Sequence, residues 1–118
     1  MNLCRMVKNY IYKAFGIIIE SDFEIPEFVE AEGNPEVRIS LGKAPVTLSR
    51  ITRKGVKFQA THNEFLLDVD EVARFYVKEG SSIVVDLNKP AVDKEVRLFL
   101  LGSALGALFL QRGLLPIH

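Results

Sequence analysis

Few residues in this sequence have the types and spacing that catalysis or phosphate binding requires. A phosphate-binding loop of the form G-x-x-x-x-G-K-[ST] would place a glycine where Val37 stands and a hydroxyl residue where Ala44 stands. The Gly42-Lys43 pair is therefore interpreted as part of a turn. The segment 102–106 reads GSALG, which differs from the G-x-S-x-G elbow of serine hydrolases.

Metal-ligating and nucleophilic side chains are equally sparse. The sequence holds two histidines, His62 and His118, and one cysteine, Cys4, without the spacing typical of a zinc or redox site. Cys4 has no histidine near it in the sequence, which argues against a catalytic thiol. The residues alone therefore predict no active site.

The composition is that of one globular domain. The chain has 118 residues and a mass of 13.3 kDa, with 48% apolar and 25% charged residues. This balance supplies enough apolar surface to offset the entropy lost on folding, so intrinsic disorder is excluded. A single cysteine cannot form an intrachain disulfide, which favours a reducing, cytoplasmic setting.

Nucleic acid and membrane are not predicted as partners. Lys plus Arg and Asp plus Glu both number 15, so the net charge of zero gives no attraction to a polyanion. The opening residues lack the pattern of a signal peptide, since Arg5 and Lys8 interrupt them. The long apolar run at 98–110 is shorter than the roughly 20 residues that a membrane span needs.

The zero net charge is the sum of two opposed blocks. Every charged residue from position 20 to 36 is acidic (the acidic block), and every one from 38 to 57 is basic (the basic block). One interpretation is that the two blocks lie side by side and screen each other. The alternative is that the basic block binds an acidic or phosphorylated partner. Its candidate residues are Arg38, Lys43, Arg50, Arg53, Lys54 and Lys57.

The strand-rich region, 10–87, predicts short strands joined by tight turns. Residues 10–19 are rich in aromatic and β-branched side chains and predict one strand with a bulge at Gly16. A connection over 21–33 follows, with one helical turn at 27–30. Further extended segments are predicted at 37–41, 46–51, 56–60, 65–69 and 83–87, and 72–77 fits a strand or a helix. This close spacing favours antiparallel pairing over βαβ units.

The last third of the chain predicts one long helix over about 93–112, with Pro90 and Asp93 near its start and Gly113 as its stop. Leucines all round the helix leave it little polar surface, so a small sheet can cover only one side and another surface is implied. A regular helical period places the following residues on one face: Val96, Phe99, Leu100, Ser103, Ala107 and Leu110.

Two glycines within this helix bear on its partners. Gly102 and Gly106 stand four residues apart, and small residues at that spacing let another backbone come close. That backbone could belong to the sheet of the same chain, to a partner domain or to a second copy. The predicted fold class is α+β in a single domain over 1–118, a small, mostly antiparallel sheet of short strands with one long apolar C-terminal helix.

The segment 113–118 reads GLLPIH, an apolar stub where domains usually end in a polar tail. We expect either that it packs on the domain's own core or that further protein follows it.

Several stretches resemble the serine kinases that are related to HPr kinase. Residues 12–21 (YKAFGIIIES) with 25–27 (IPE) are similar to the opening of this family, and 55–60 (GVKFQA), 65–69 (FLLDV) and 73–76 (ARFY) to its middle. The most specific stretch is 96–118, VRLFLLGSALGALFLQRGLLPIH, which is similar to the segment leading into the kinase core. The resemblance covers nearly the whole chain from Tyr10.

The resemblance implies that this chain and the kinase core of the parent protein have different roles. In this family the strand, phosphate-binding loop and magnesium-binding acids follow the position of His118, so ATP and magnesium would belong to a full-length parent and no cofactor to this chain. His118 matches a histidine that lies upstream of the phosphate loop in the related HPr kinases and is carried over as a candidate catalytic residue.

Two functional hypotheses follow. The first is a non-catalytic N-terminal domain of such a kinase, which packs on the kinase core and aids recognition of a protein or peptide substrate or supports dimerisation, with the apolar helix and its residues Gly102 and Gly106 as the contact. The second is a free-standing interaction module that binds an acidic or phosphorylated partner through its basic block.

Overall fold

A computed structural model describes residues 9–45 and 58–113. These residues form an eight-stranded sheet followed by a helix. The sheet is larger than the small one predicted from the sequence. Its strands are β1 (Tyr10–Ala14), β2 (Ile17–Ser21), β3 (Val29–Glu30), β4 (Val37–Leu41), β5 (Phe58–Ala60), β6 (Glu64–Val69), β7 (Ala73–Lys78) and β8 (Ser82–Leu87).

The sheet joins two groups of strands in the order β3-β1-β2-β4-β8-β7-β6-β5. Neighbours within the group β5 to β8 are antiparallel, as are β3 with β1 and β1 with β2. The two parallel pairings are β2 with β4 and β4 with β8, so β4 connects the groups. The prediction of a mostly antiparallel sheet is confirmed.

The first predicted strand is wrong, because residues 10–19 contain a turn rather than a bulge. Phe15 and Gly16 both have positive φ, 56° and 81°, and link β1 to β2 as a two-residue hairpin. Two successive positive φ values give the backbone the twist that a tight hairpin needs. Glycine adopts this region freely, whereas a phenylalanine there is uncommon.

Two other assignments are settled by the backbone hydrogen bonds. The helical turn predicted at 27–30 is wrong: the amide of Phe28 donates to the carbonyl of Ile25 in a single turn, and β3 begins at Val29. The ambiguous segment 72–77 is a strand, β7, whose side chains alternate between buried and half-buried. The predicted segment 46–51 and residues 56 and 57 lie outside the described residues.

One face of the sheet carries the core. Along β7, Ala73, Phe75 and Val77 are fully buried, while Arg74 and Tyr76 point to the opposite face. Ile19, Ile39, Ile83 and Val85 continue the buried face across the neighbouring strands. The C-terminal helix covers this face.

The C-terminal helix consists of three consecutive segments, α1 (Lys94–Phe99), a π-helical segment (Leu100–Ala104) and α2 (Leu105–Gln111). Asp93 caps its N-terminus, since its side chain accepts a hydrogen bond from the amide of Val96 at 3.0 Å. The helix predicted over about 93–112 is confirmed, and Gly113 follows it with a φ of 78°.

The π-helical segment corrects the predicted face of the helix. The amide of Leu105 donates to the carbonyl of Leu100, five residues earlier, so one extra residue is accommodated in that turn. From the last residue of this segment onward the buried positions are Ala104, Leu105 and Leu108, whereas Ser103 and Leu110, predicted to share a face with Val96, are exposed.

Candidate interaction surface

The outer face of the C-terminal helix combines apolar side chains with high exposure. On the inner face Val96, Leu100, Ala104 and Leu108 are 0% exposed. On the outer face Leu98 is 67% and Leu110 is 59% exposed. The sheet therefore covers one side of the helix, as predicted, and the described part of the chain leaves the other side open to a partner.

Gly102 and Gly106 lie between these two leucines on the outer face. A Cβ built at either glycine would meet no heavy atom within 4 Å, so neither glycine serves close packing on the sheet. Of the alternatives left open by the sequence, contact with the domain's own sheet is thus wrong. Leu98, Gly102, Gly106 and Leu110 follow one another at intervals of four residues, which places them along one stripe.

An open cleft of about 720 Å³ borders the stripe at the N-terminal half of the helix. Leu98, Leu101 and Gly102 form its apolar floor. Its charged rim consists of Lys94 and Glu95 from the first turn of the helix and Glu27 from the loop before β3. A concave apolar surface with a few polar groups at its edge is the usual form of a binding site.

An aromatic cluster borders the C-terminal half of the helix. The ring of Phe15 lies edge-on to the rings of Phe109 and Phe28, at centroid distances of 5.2 and 6.2 Å. Phe15 is nevertheless 65% exposed, and it occupies the left-handed backbone region. A bulky residue held there is strained, and such strain is concentrated at functional sites.

Ion pairs fix the loop before β3 to the helix. The Nε of Arg97 donates to both carboxylate oxygens of Glu27, at 3.0 and 3.1 Å. The ammonium of Lys89 donates to Asp93 and Glu95 at 2.9 and 2.8 Å. Lys89 and the amide of Val96 together hold the pKa of Asp93 below its ordinary value, because both stabilise its charged form. The rim of the cleft is therefore well defined.

The basic block provides one residue whose partners are clear. Arg38 pairs with Glu20, at 3.3 Å, and with Asp22, which also accepts a hydrogen bond from the amide of Leu41 at 3.0 Å. Parallel pairing of β2 with β4 sets Glu20 directly beside Arg38. For Arg38, the prediction that the acidic and basic blocks screen each other is confirmed.

The remaining predicted residues of the basic block are placed only in part. Lys43 is exposed just beyond β4. Arg50, Arg53, Lys54 and Lys57 lie outside the described residues, as does the candidate catalytic residue His118. Elsewhere the acidic block pairs with the C-terminal helix instead, through Glu27 with Arg97 and Glu36 with Arg112.

Other chemistry is limited in the described chain. Within residues 9–45 and 58–113, no group of three or more histidine, cysteine, aspartate or glutamate side chains could hold a metal ion. His62 is exposed in a bend between β5 and β6. Among the same residues, no helix has the length and apolar character that crossing a bilayer requires.

The sequence analysis identified Gly102 and Gly106 of this surface. It missed the residues that distant segments of the chain bring to the helix. Phe15 and Glu27 reach the helix from segments about 70 or more residues away in the chain, as the Glu27–Arg97 pair illustrates. A scan against protein-family models, a search of curated proteins and a search of solved structures found no match to this chain.

Proposed function

We propose that this chain is a non-catalytic interaction domain that packs on a larger protein through the outer face of its C-terminal helix. By the resemblance of residues 96–118, that protein is the core of a serine kinase related to HPr kinase. The domain would orient the core or its protein or peptide substrate, in the cytoplasm, while ATP and magnesium would be bound by the core.

The observation that carries this proposal is the exposure of the outer face. Leu98 and Leu110, at 67% and 59% exposed, flank two glycines at which a Cβ would meet no heavy atom of the described residues within 4 Å. Covering such leucines with a partner removes apolar area from water, which stabilises a complex by about 25 cal/mol for each Å². The glycines would let the backbone of the partner approach the helix closely.

A second copy of the chain could occupy the same face, and this is the dimeric form of the proposal. The rival function, recognition of an acidic partner by the basic block, gains nothing from Arg38, whose charge is already matched by Glu20 and Asp22. The outer face of the helix is therefore the better supported contact.

The test is calorimetry of the purified chain with a small panel of kinase cores of this family, each produced without its N-terminal domain. We expect association, weakened at least about tenfold by the double substitution Leu98→Asp and Leu110→Asp. Leu41→Asp is the matched control, because Leu41 is also exposed but lies at the end of β4 and does not line the cleft beside Leu98.

Sedimentation of the chain alone separates the core-binding form of the proposal from the dimeric one. Two results would contradict the proposal: a double variant that binds the cores as tightly as the unmodified chain, or micromolar binding of magnesium-ATP by this chain itself.

A further inference from the structure

A smaller cavity lies where three parallel strands of the sheet end. β2, β4 and β8 run in the same direction, so their carboxyl ends meet at one edge of the sheet. Residues at or just beyond these three ends line an open cavity of about 380 Å³, the strand-end cavity. Sheets with parallel strands commonly bind their ligands in the crevice beyond the carboxyl ends of those strands. The topology therefore marks this cavity as a candidate ligand site, and its volume is that of a small-molecule pocket.

The apolar part of the strand-end cavity is formed by loops and strand ends. Leu41 and Leu87 are the last residues of β4 and β8. Pro26 and Pro90 lie in the loops that follow β2 and β8. The side chain of Asp22 accepts a hydrogen bond from the amide of Leu41 at 3.0 Å, which ties the loop after β2 to the end of β4. Because proline side chains have little freedom to lose on binding, this side of the cavity is preorganised for an apolar group.

Two charged side chains, Glu24 and Arg97, line the same cavity without pairing with each other. Arg97 reaches the cavity from the helix, and its side-chain hydrogen bonds with described residues all use Nε, which donates to both carboxylate oxygens of Glu27. A guanidinium carries further N–H groups on its two terminal nitrogens, so Arg97 retains donors in a geometry that suits a carboxylate. Glu24 is exposed and forms no ion pair with any described residue. The cavity therefore offers a ligand one anionic group and one set of cationic donors.

We propose that the strand-end cavity binds a free α-amino acid with an apolar side chain. The carboxylate of the ligand accepts hydrogen bonds from the terminal nitrogens of Arg97, and its ammonium donates to the carboxylate of Glu24. The side chain of the ligand contacts Leu41 and Leu87. Each charged end of the ligand thus meets a group of opposite charge, which selects against molecules that lack either end. This site is separate from the outer face of the helix, so the inference does not depend on the proposed function.

The test is calorimetry of the intact chain with L-leucine as the probe. Three analogues each remove one feature of the ligand: N-acetyl-L-leucine lacks the ammonium, L-leucinamide lacks the carboxylate, and glycine lacks the apolar side chain. We expect L-leucine to bind and each analogue to bind at least about tenfold more weakly, because the missing group leaves its partner in the cavity unmatched.

Variants assign the two charged contacts. Arg97→Gln should lower the affinity for L-leucine at least about tenfold, and Glu24→Gln at least about threefold, since Glu24 is the more exposed of the two. Arg112→Gln is the matched control for the arginine, because Arg112 also pairs with a glutamate but lies at the other end of the helix. Glu30→Gln is the control for the glutamate, because Glu30 is exposed in β3 and does not line the cavity. Both controls should leave the affinity unchanged, and circular dichroism verifies that each variant is folded.

Amide shifts in NMR spectra of the chain locate the bound probe. L-leucine should shift the amides of Glu24, Leu41 and Leu87 and leave those of Gly102 and Gly106 unchanged. Shifts confined to the two glycines would place the probe on the outer face of the helix and overturn the inference. Equal binding of L-leucinamide and L-leucine, or no shift with millimolar L-leucine, would overturn it as well. A leucine-terminated peptide that binds as tightly as free L-leucine would show that the site takes a chain terminus and that Glu24 contacts no ammonium.

Discussion

On the inner face of the C-terminal helix Leu100 and Leu108 are fully buried, whereas on its outer face Leu98 and Leu110 are 67% and 59% exposed. The residue type is the same on both faces, so composition does not separate the residues that hold the fold from those available to a partner. The sheet makes that separation, because it covers one side of the helix. The inner leucines should govern stability and the outer leucines association.

The largest expected effect distinguishes the two faces by stability. Leu108→Ala should lower the free energy of unfolding by about 2–5 kcal/mol, since it leaves a cavity between the helix and β7. Leu98→Ala should change it by no more than about 0.5 kcal/mol, because its side chain is largely solvated. Urea denaturation of both variants measures the difference. Equal losses would show that the outer leucine is also part of the core.

The next effect concerns how the helix is fastened to the sheet. The side chain of Gln111 donates to the carbonyl of Val77 at 3.1 Å and accepts from the amide of Gly80 at 2.8 Å. Gln111→Ala should cost about 1–3 kcal/mol, because it leaves two backbone groups without these partners. Gln111→Glu keeps the acceptor for Gly80 but sets a carboxylate oxygen against the carbonyl oxygen of Val77, so it should also destabilise the chain.

A smaller effect has the opposite sign. Gly106→Ala should stabilise the chain by up to about 1 kcal/mol, since alanine favours a helix and a Cβ at this position meets no neighbour within 4 Å. The same substitution should weaken association with the proposed partner, because the methyl group occupies space that this partner would need. A variant that is more stable and binds unchanged would show that Gly106 lies outside the interface.

The smallest effect concerns the N-terminus of the helix and depends on pH. The pKa of Asp93 is lowered in the folded chain, chiefly by Lys89 and then by the amide of Val96. The stability that charged Asp93 contributes to the folded chain is therefore fully present above its ordinary pKa of 3.8. It is lost as the pH falls through the lowered pKa of the folded state. Asp93→Asn should flatten the acid limb of a plot of Tm against pH. An unchanged acid limb would show that the cap contributes nothing to this dependence.

The sequence predicted the elements with a strong local signal. Asp93, the leucine-rich run and Gly113 sufficed for the helix, alternating apolar residues sufficed for β4, and short apolar runs sufficed for β6 and β8. The hairpin was missed because Phe15 is not a residue that favours a positive φ, so nothing in its type announces a turn. The inner face of the helix was predicted wrongly, because a regular helical period does not include the extra residue that the π-helical segment accommodates.

The sequence also predicted only part of the candidate surface, because only part of that surface has a local signal in the sequence. An apolar helix that a sheet covers on one side must have an open side, and that inference required only counting leucines. The cleft required knowing that Glu27 and Arg97 form an ion pair across 70 positions of sequence, which depends on the complete fold. The pairing of Arg38 with Glu20 falls between these two cases in how far the sequence predicts it. It follows from two adjacent strands once their register is known.

The most direct test of the central claim is to locate the interface with an environment-sensitive dye. The dye is attached at Leu98→Cys or, as the control, at Leu41→Cys, in both cases with Cys4→Ser to remove the native thiol. Adding the proposed partner, a kinase core of this family, should shift the emission of the dye at position 98 to the blue and leave that at position 41 unchanged. A blue shift at position 41 with none at position 98 would contradict the assignment of the outer helix face as the contact.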